Sequence, residues 1–465
     1  MTCRIRTGDW KDKTMNLEGK RVLVVGSGKS GVAAAELLRK KGITFVLFDG
    51  NKDLDVTVLI EKNPVFAGAE ILLGELAPED MARIDLVVLS PGVPTDLPMV
   101  NELRNRQIPI WGEIELAYHF AKGRIIAITG TNGKTTTTSL VGEIMANYFD
   151  DVKVVGNIGI PYTSVAANTT EDTVTVAEIS SFQLETTHEF APEVTAILNI
   201  TPDHLNRHHT MAEYIRVKEL ITKNQTSEDT CVLNYEDPIL RAFGENLQIR
   251  VLFFSSERKL KQGLYLEDET IWYADESQKL AICKTQDLNI VGKHNYENVM
   301  AAAGMALSYG VPLEKIQEAV KAFQAVEHRI EFVTEKSGVV YYNDSKGTNP
   351  DAAIKGIQAM SRPTLLIGGG YDKGSDYTEW IQSFDGKVKY LVLLGVTKEK
   401  IAETARKCGF DNIIMTESLE EAVKVCAENA ESGDAVLLSP ACASWDMFPS
   451  YEVRGRRFKE LVRNL

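Results

Sequence analysis

At 465 residues the chain is too long for one hydrophobic core, and at roughly 100 to 200 residues per domain it is expected to form three domains. A hydrophobic content of 44% and a charged content of 25% exclude a disordered or fibrous chain. The net charge of -14 argues against a nucleic-acid partner, although a single cleft can still gather positive charge for an anionic substrate.

The polar N-terminus TCRIRTGDWKDKT lacks a signal peptide's apolar core, and no apolar run approaches the roughly 18 residues of a membrane helix. The expectation is a cytosolic protein with no membrane partner and a loose tail over residues 1 to about 15. The six cysteines, Cys3, Cys231, Cys283, Cys408, Cys426 and Cys442, form no C-x-x-C pair, which points to free buried thiols rather than a zinc site.

RVLVVGSGKSGVAAAELLRKKG followed by FVLFDG reads as strand, turn, helix, strand. Gly26, Gly28 and Gly31 complete a G-x-G-x-x-G, and Asp49 ends the next strand. Alone, this pattern says dehydrogenase. After LVVLSPGVP, however, the sheet is expected to stop, because a second phosphate loop begins near Arg124. The first domain, residues 1–113, is therefore read as a half-Rossmann unit, short for a dinucleotide but able to hold one nucleotide diphosphate against the helix starting near Lys29. A dinucleotide, a uridine-type handle on a substrate, and a structural glycine turn all satisfy these residues.

The central domain, residues 114–325, opens on RIIAITGTNGKTTTTS, an apolar strand running into a glycine-rich turn and a helix. Gly130 and Gly133 let the backbone turn, Lys134 can reach phosphate oxygens, and Thr135 offers a hydroxyl to Mg²⁺. The strict P-loop pattern wants a glycine where Ile128 stands, so this is a variant with its first glycine closer in. Further strands are expected at VKVVG, TVTVAEIS and VTAILNIT, with Asn157, Glu178, His204 and Lys218 at or beyond their ends, where open α/β sheets bind ligands. Thr135 and Glu178 have the oxygen chemistry of one Mg²⁺ site. LYLEDETIWYA and KLAICKT read as a β-hairpin, and GKHNYENVMAAAGMALSYG as a helix opened by Asn295 and Asn298, which either cap it or touch a base.

In the third domain, residues 326–465, strands at VVYYNDS, TLLIGGG, YLVLLGV, IIMT and AVLLSP alternate with helical stretches, the pattern of a doubly wound parallel sheet. Its polar loops HRIE, NDSKGTNP, GGGYDKG and SPACASWDMF would gather at one edge as a site for an anion, with Lys346 and Lys373 as candidate charges.

TGTNGKTT, AEISSFQLE, TPDHLNRH, the lysine of YIRVKEL, GKHNYEN, HRIE, NDSKGTNP and SPACASWDMF occur in this order, and together they resemble the Mur ligase family along nearly the whole chain. GSGKSG, SPGVP and SPACASWDMFPSYEVRGRRF are similar to the branch that adds D-glutamate to a UDP-linked muramoyl-alanine. The resemblance implies an α/β fold of three domains: a half-Rossmann N-terminal domain, a central P-loop ATPase-like domain and a C-terminal doubly wound Rossmann-like domain. It also implies a monomeric, ATP-dependent amide ligase of peptidoglycan precursor synthesis.

Carried over residue by residue, the resemblance puts Gly130, Thr131, Asn132, Gly133, Lys134, Thr135 and Thr136 on the phosphates of ATP. It puts Asn295 and Asn298 by adenine, Asp344 by the ribose, and His328 and Arg329 by the phosphates and a domain hinge. Thr135 and Glu178 would hold one Mg²⁺, His204 and Lys218 a second, with Lys218 carrying a CO₂-derived carbamate. Lys134, Glu178, His204 and Lys218 would be the catalytic set. Ser30, Asp49, Ser90, Gly92 and Asn157 would hold the UDP part of the acceptor, and Lys346, Thr348, Lys373, Ser444 and Tyr451 the amino acid. Trp445 stands where a small aliphatic residue is expected beside Ser444. The third domain is expected to swing closed over the substrates. The alternatives are a related ligase for another amino acid, a folate or cyanophycin type of ligase, an NAD-dependent dehydrogenase, and a P-loop NTPase switch.

Overall fold

Short runs such as VLVV and LVVL are apolar at every position, which suits strands of a parallel sheet covered by helices on both faces, and here they are buried throughout. The computed structural model describes residues 17–290, 292–324 and 326–465; the expected tail and Cys3 lie outside the described residues. The chain divides into two units, one running to Lys284 and including Glu297–Val320, the other holding Thr285–Tyr296 and Lys321–Leu465.

In the first unit, β1 (Val22–Val25), β2 (Phe45–Asp49), β3 (Glu70–Leu73), β4 (Leu86–Leu89) and β5 (Ile110–Gly112) form a parallel sheet in the order β3-β2-β1-β4-β5. The sheet does not stop after β4. Ile110 pairs with Val87 and Gly112 with Leu89, and a strand of three residues is too short to announce itself by alternation. Among the described residues, only the sixth strand of the full dinucleotide-binding order is missing.

The same unit carries a nine-stranded sheet built from β6 (Arg124–Thr129), β7 (Val152–Gly156), β8 (Val174–Glu178), β9 (Val194–Ile197), β10 (Thr230–Asn234), β11 (Arg250–Ser255), β12 (Gly263–Glu267), β13 (Thr270–Ala274) and β14 (Lys279–Lys284). Its order is β14-β13-β12-β11-β10-β9-β6-β8-β7, with antiparallel pairing only along β12, β13 and β14. The expected hairpin is thus a three-stranded meander grafted onto the parallel sheet through β11 and β12. The chain crosses from one side of β6 to the other between β8 and β9, which opens a crevice at the C-terminal ends of β6 and β9. One continuous cluster of buried side chains, from Val22 and Leu38 through Tyr118 to Phe190 and Leu233, runs under both sheets. The first two expected domains therefore share a core.

In the second unit, β15 (Glu331–Lys336), β16 (Val339–Asn343), β17 (Thr364–Gly368), β18 (Val388–Leu393), β19 (Ile413–Met415) and β20 (Ala435–Leu438) form a sheet ordered β15-β16-β20-β17-β18-β19. Five of these strands are the expected ones. The sixth, β15, is an antiparallel edge that its charged sequence EFVTEK conceals. Separate apolar clusters fill the two faces of this sheet. None of the five described cysteines forms a disulfide, and burial pushes the Cys231 thiol up to about 12. Among the described residues no helix is long and apolar enough to cross a membrane.

Candidate active site

The phosphate loop leaves β6 at Gly130 (φ 151°) and enters helix Lys134–Ala146 through Gly133, which is left-handed at φ 84°. A Cβ on Gly133 would lie 2.4 Å from Asn298 Oδ1, and one on Gly130 would lie 3.2 Å from the Leu198 amide, so both positions require glycine. Residues just past β9 lock the loop. Thr131 N–H donates to the Asn199 carbonyl (2.9 Å), Asn132 N–H donates to Asn199 Oδ1 (2.8 Å), and the Thr131 hydroxyl donates to the Thr201 carbonyl (3.1 Å) and sits 3.0 Å from Tyr214 Oη. Asn199, Thr201 and Tyr214 escaped the sequence reading; the signal was a polar NIT directly after an apolar strand. Asn298 accepts from the buried Thr137 hydroxyl (3.2 Å), which puts this asparagine behind the loop. Thr135 and Thr136 are buried in the first turn of the helix.

Two ammonium groups converge on one carbonyl. Lys134 Nζ donates to the Gly130 and Thr131 oxygens at 2.8 and 2.9 Å, and Lys218 Nζ donates to the same Gly130 oxygen at 2.8 Å. Lys218 is 1% exposed and lies on helix Met211–Glu219, 4.7 Å over the Tyr214 ring. Burial first, and the charge of Lys134 second, hold its amine well below the ordinary lysine range, partly offset by Asp203.

Glu178, also 1% exposed, ends β8 beside Ile128 of β6. Its Oε1 accepts from Asn157 Nδ2 (2.7 Å), while Oε2 is buried with no hydrogen-bond partner. A buried carboxylate oxygen without a donor has the chemistry to fit a hard cation such as Mg²⁺. Asn157, expected at the UDP group, is bonded to Glu178 through both its side chain and its backbone N–H. His204 adopts a left-handed backbone (φ 53°), keeps its side chain 49% exposed, and packs edge-on to Phe182 at 4.9 Å. Among the described residues no group of three His, Cys, Asp or Glu side chains could hold a metal, so any ion here must also rely on hydroxyls and ligand oxygens.

At the N-terminal sheet, Gly31 packs against Gly26 so closely that a Cβ would sit 1.9 Å from the Gly26 oxygen. Asp49 accepts from Ser27 N–H (3.0 Å), the Ser27 hydroxyl (2.6 Å) and Asn51 N–H (3.0 Å). Burial pushes its carboxyl up, but these donors outweigh it and hold the group below the usual range. Helix Lys29–Lys40, with Ser30 in its first turn, has no side-chain cap, and the Ser90 hydroxyl beneath Gly26 is buried without a partner. Gly92 lies exposed just beyond Ser90. An uncapped helix start beside an unpaired hydroxyl suits a phosphate.

In the second unit, Asp344 follows β16 and accepts from the Ser439 hydroxyl (2.6 Å); burial pushes its carboxyl up to about 7. His328, strained at φ 68°, has Nδ1 2.8 Å from Asn343 Nδ2, and its ring occupies the space a Cβ on Gly455 would need. The Arg329 Nε is buried without a partner, and Asn295 is buried in this unit, on the other side of the unit division from Asn298. Lys346 Nζ lies 5.6 Å over the Tyr451 ring, and Lys373 Nζ lies 5.2 Å over the ring of Trp445, which is 62% exposed. The Ser444 hydroxyl is buried without a partner, and Thr348 N–H closes a turn onto the Lys346 carbonyl. Five residues expected at the amino acid thus lie on loops at the C-terminal ends of β16, β17 and β20 and on the first turn of helix Tyr451–Arg463.

Three family models match in sequence: a Mur ligase MurD-like, N-terminal domain over residues 20–112, a Mur ligase middle domain over 128–306, and a Mur ligase, glutamate ligase domain over 328–442. The chain is 58% identical to the UDP-N-acetylmuramoylalanine–D-glutamate ligase of Lachnoclostridium phytofermentans, across 97% of this chain and 99% of that one. It is 57% identical to the protein of the same name from Lachnospira eligens, across 97% and 100%. The crystal structure of UDP-N-acetylmuramate–alanine ligase from Thermotoga maritima shares the fold with a TM-score of 0.60 at 20% identity, over 96% of this chain and 99% of that one. With three matched domains in order and such identity over nearly its full length, the chain belongs to the Mur ligase family.

Proposed function

We propose that the chain is the ATP-dependent, ADP-forming ligase that joins D-glutamate to UDP-N-acetylmuramoyl-L-alanine in peptidoglycan precursor synthesis. The observation that carries the chemistry is the phosphate loop held at the crevice of β6 and β9, with the unpaired Glu178 oxygen and the buried Lys218 amine beside it. The substrates follow from relatives of that name at 58 and 57% identity. A cytoplasmic monomer is part of the same reading.

A carboxylate is a poor acylating agent, so the acceptor's carboxylate oxygen attacks the γ-phosphorus of ATP and the bond to the β-bridging oxygen breaks, releasing ADP. The D-glutamate amine then attacks the acyl phosphate carbon; phosphate departs with the bonding electrons and the nitrogen loses a proton. Lys134 exchanges its bonds to the Gly130 and Thr131 carbonyls for phosphate oxygens, joined by the amides that open helix Lys134–Ala146, while the Thr131 and Asn132 amides stay on Asn199 and hold the loop in shape. Thr135 and Glu178 fit one Mg²⁺, His204 and a carbamate on Lys218 a second; when bound, the ions neutralise charge developing on the transferred phosphoryl group. Asn295, Asn298, His328, Arg329 and Asp344 serve the rest of the nucleotide. Ser30, Asp49, Ser90, Gly92 and Asn157 serve the UDP moiety, and Lys346, Thr348, Lys373, Ser444 and Tyr451 the amino acid. Positioning and charge neutralisation supply most of the rate, with no covalent step on the protein.

The test is phosphate release from ATP against a panel of amino acids and UDP-linked acceptors. Release that needs both UDP-N-acetylmuramoyl-L-alanine and D-glutamate is expected. Hydrolysis of ATP or GTP without either would indicate an NTPase switch, and activity with a different amino acid would reassign the substrate.

A further inference from the structure

Helix Tyr451–Arg463 carries a charged residue that none of the roles above uses. Arg454 is 3% exposed, and all five of its N–H donors are spent on neutral oxygens. Its Nε donates to the Ser345 hydroxyl (3.0 Å); one terminal nitrogen reaches the Ser345 and Cys442 carbonyls (2.8 and 3.2 Å), and the other the Cys442 and Ala443 carbonyls (3.3 and 3.4 Å). Asp344 and Asp446 act on it only through space. Burial lowers its pKa to about 10, which leaves it charged at neutral pH.

Those oxygens belong to two of the loops that bear the amino-acid candidates, Ser345 beside Lys346 and Cys442 with Ala443 beside Ser444. The third loop, which carries Lys373, is tied to the same point. Tyr371 N–H donates to the Ala443 carbonyl (2.9 Å), and Gly370 lies so close that a Cβ there would sit 3.4 Å from Arg454 Nη1. Ser345 Oγ in turn donates to the Tyr451 carbonyl (2.8 Å), closing the set onto the helix start. A rigid planar fork can hold three loops in register in a way a single ammonium cannot. A buried charge whose direct partners are four carbonyl contacts and one hydroxyl, with Asp344 and Asp446 reaching it only through space, keeps positive character that favours a ligand with negative charge.

We propose that Arg454 is the positioning residue of the amino-acid site: it fixes the loops that carry Lys346, Lys373 and Ser444 relative to one another, and its charge, hydrogen-bonded only to neutral oxygens, biases that site toward an acidic amino acid. This rests on the functional reading above and deepens it.

The experiment measures KM for ATP and for D-glutamate in the wild type and in Arg454→Lys, Arg454→Gln and Arg454→Ala, with thermal unfolding to verify that each variant folds. The expected result is a rise of about tenfold or more in the D-glutamate KM of Arg454→Lys, with the ATP KM within about twofold. Added guanidinium ion at millimolar concentration should recover part of that loss in Arg454→Ala, whereas methylammonium should not. If the alanine variant does not fold, the lysine and glutamine variants carry the comparison. Parallel rises in both constants, an unchanged D-glutamate KM in a folded variant, or equal recovery by the two cations would overturn the proposal. A wild type that uses another acidic amino acid refutes the D-glutamate reading alone, and the same comparison is then made with that substrate. A wild type that prefers a neutral amino acid overturns the charge bias itself.

Discussion

Lys218 would pass in the sequence for one more solvated helix lysine, yet it is 1% exposed and shares the Gly130 carbonyl with Lys134. Two ammonium ions on one oxygen in a buried site is an unfavourable pairing, and lowering the pKa of the deeper amine is the response expected from burial and like charge. A neutral amine is the form that reacts with CO₂, and the lowered pKa of Lys218 moves it in that direction, which is what the carbamate proposal requires. Lys218→Ala is expected to fold but lose most activity, with partial recovery by a short carboxylic acid that restores the missing oxygens. Lys218→Arg should not recover, because arginine keeps its charge and cannot be carbamylated. Near-normal turnover of Lys218→Arg in the phosphate-release assay would remove the carbamate from the mechanism.

At the scale of elements, helix Glu113–Phe120 leaves β5 and fastens the first sheet to the central one. Glu113 Oε1 accepts from Thr163 N–H (2.6 Å) and from the Thr163 hydroxyl (2.8 Å). The fully buried Glu115 accepts from the N–H groups of His188, Glu189 and Phe190 at 2.8, 2.7 and 3.2 Å, and lies 3.3 Å from His119, whose ring stacks on Trp111 at 4.2 Å. Burial pushes the Glu115 carboxyl up, but His119 and the backbone donors outweigh it, so its pKa falls below the ordinary glutamate value. Its contribution to stability is therefore present above the unfolded-state pKa of about 4.3 and lost as pH falls through the lower folded value. Glu115→Gln should cost about 1 to 3 kcal/mol near neutral pH, and the gap to wild type should close below about pH 4. Thermal midpoints of the two proteins across that range provide the check; a gap independent of pH would mean that the amide simply packs badly. Nothing in EIELAYHF foretells this bracket, because two glutamates in a first turn are ordinarily solvated and their partners lie far along the chain. The phosphate loop was legible for the opposite reason: glycines, lysine and threonine are contiguous there, and their roles depend on local backbone geometry. Asn199, Tyr214 and Arg454 were not, because their importance comes from whichever loop the sheet order brings beside them.

Across the whole molecule, the α/β alternation and most strands could be read from apolar runs, whereas β3, β5, β10, β11 and β15 were not, β5 being three residues long and β15 charged at its edge. That difference bears on what the first sheet binds. With β5 in place its order, β3-β2-β1-β4-β5, stops one strand short of a full dinucleotide fold, so topology alone argues against NAD less strongly than a half-sheet would. Asp49 does not separate the two ligands: it accepts two hydrogen bonds from Ser27 in the glycine turn after β1 and one from Asn51, and this holds equally whether the ribose offered is that of UDP or of a dinucleotide. The open features are the uncapped start of helix Lys29–Lys40 and the buried, unpaired Ser90 hydroxyl, which suit a diphosphate; UDP and NAD both carry one, and it is the relatives' UDP-linked substrate that favours the first. A ligand that binds only the native state raises stability by about 2.7 kcal/mol at a hundred times its dissociation constant. UDP-N-acetylmuramoyl-L-alanine should therefore raise the unfolding temperature in a saturable way, UDP should do so more weakly, and NADH at the same concentrations should leave it unchanged. Ser90→Ala should weaken the UDP effect without altering the stabilisation produced by ATP, since the two ligands meet different loops. Saturable stabilisation by NADH that the UDP compound cannot displace would return the glycine turn to the dehydrogenase reading.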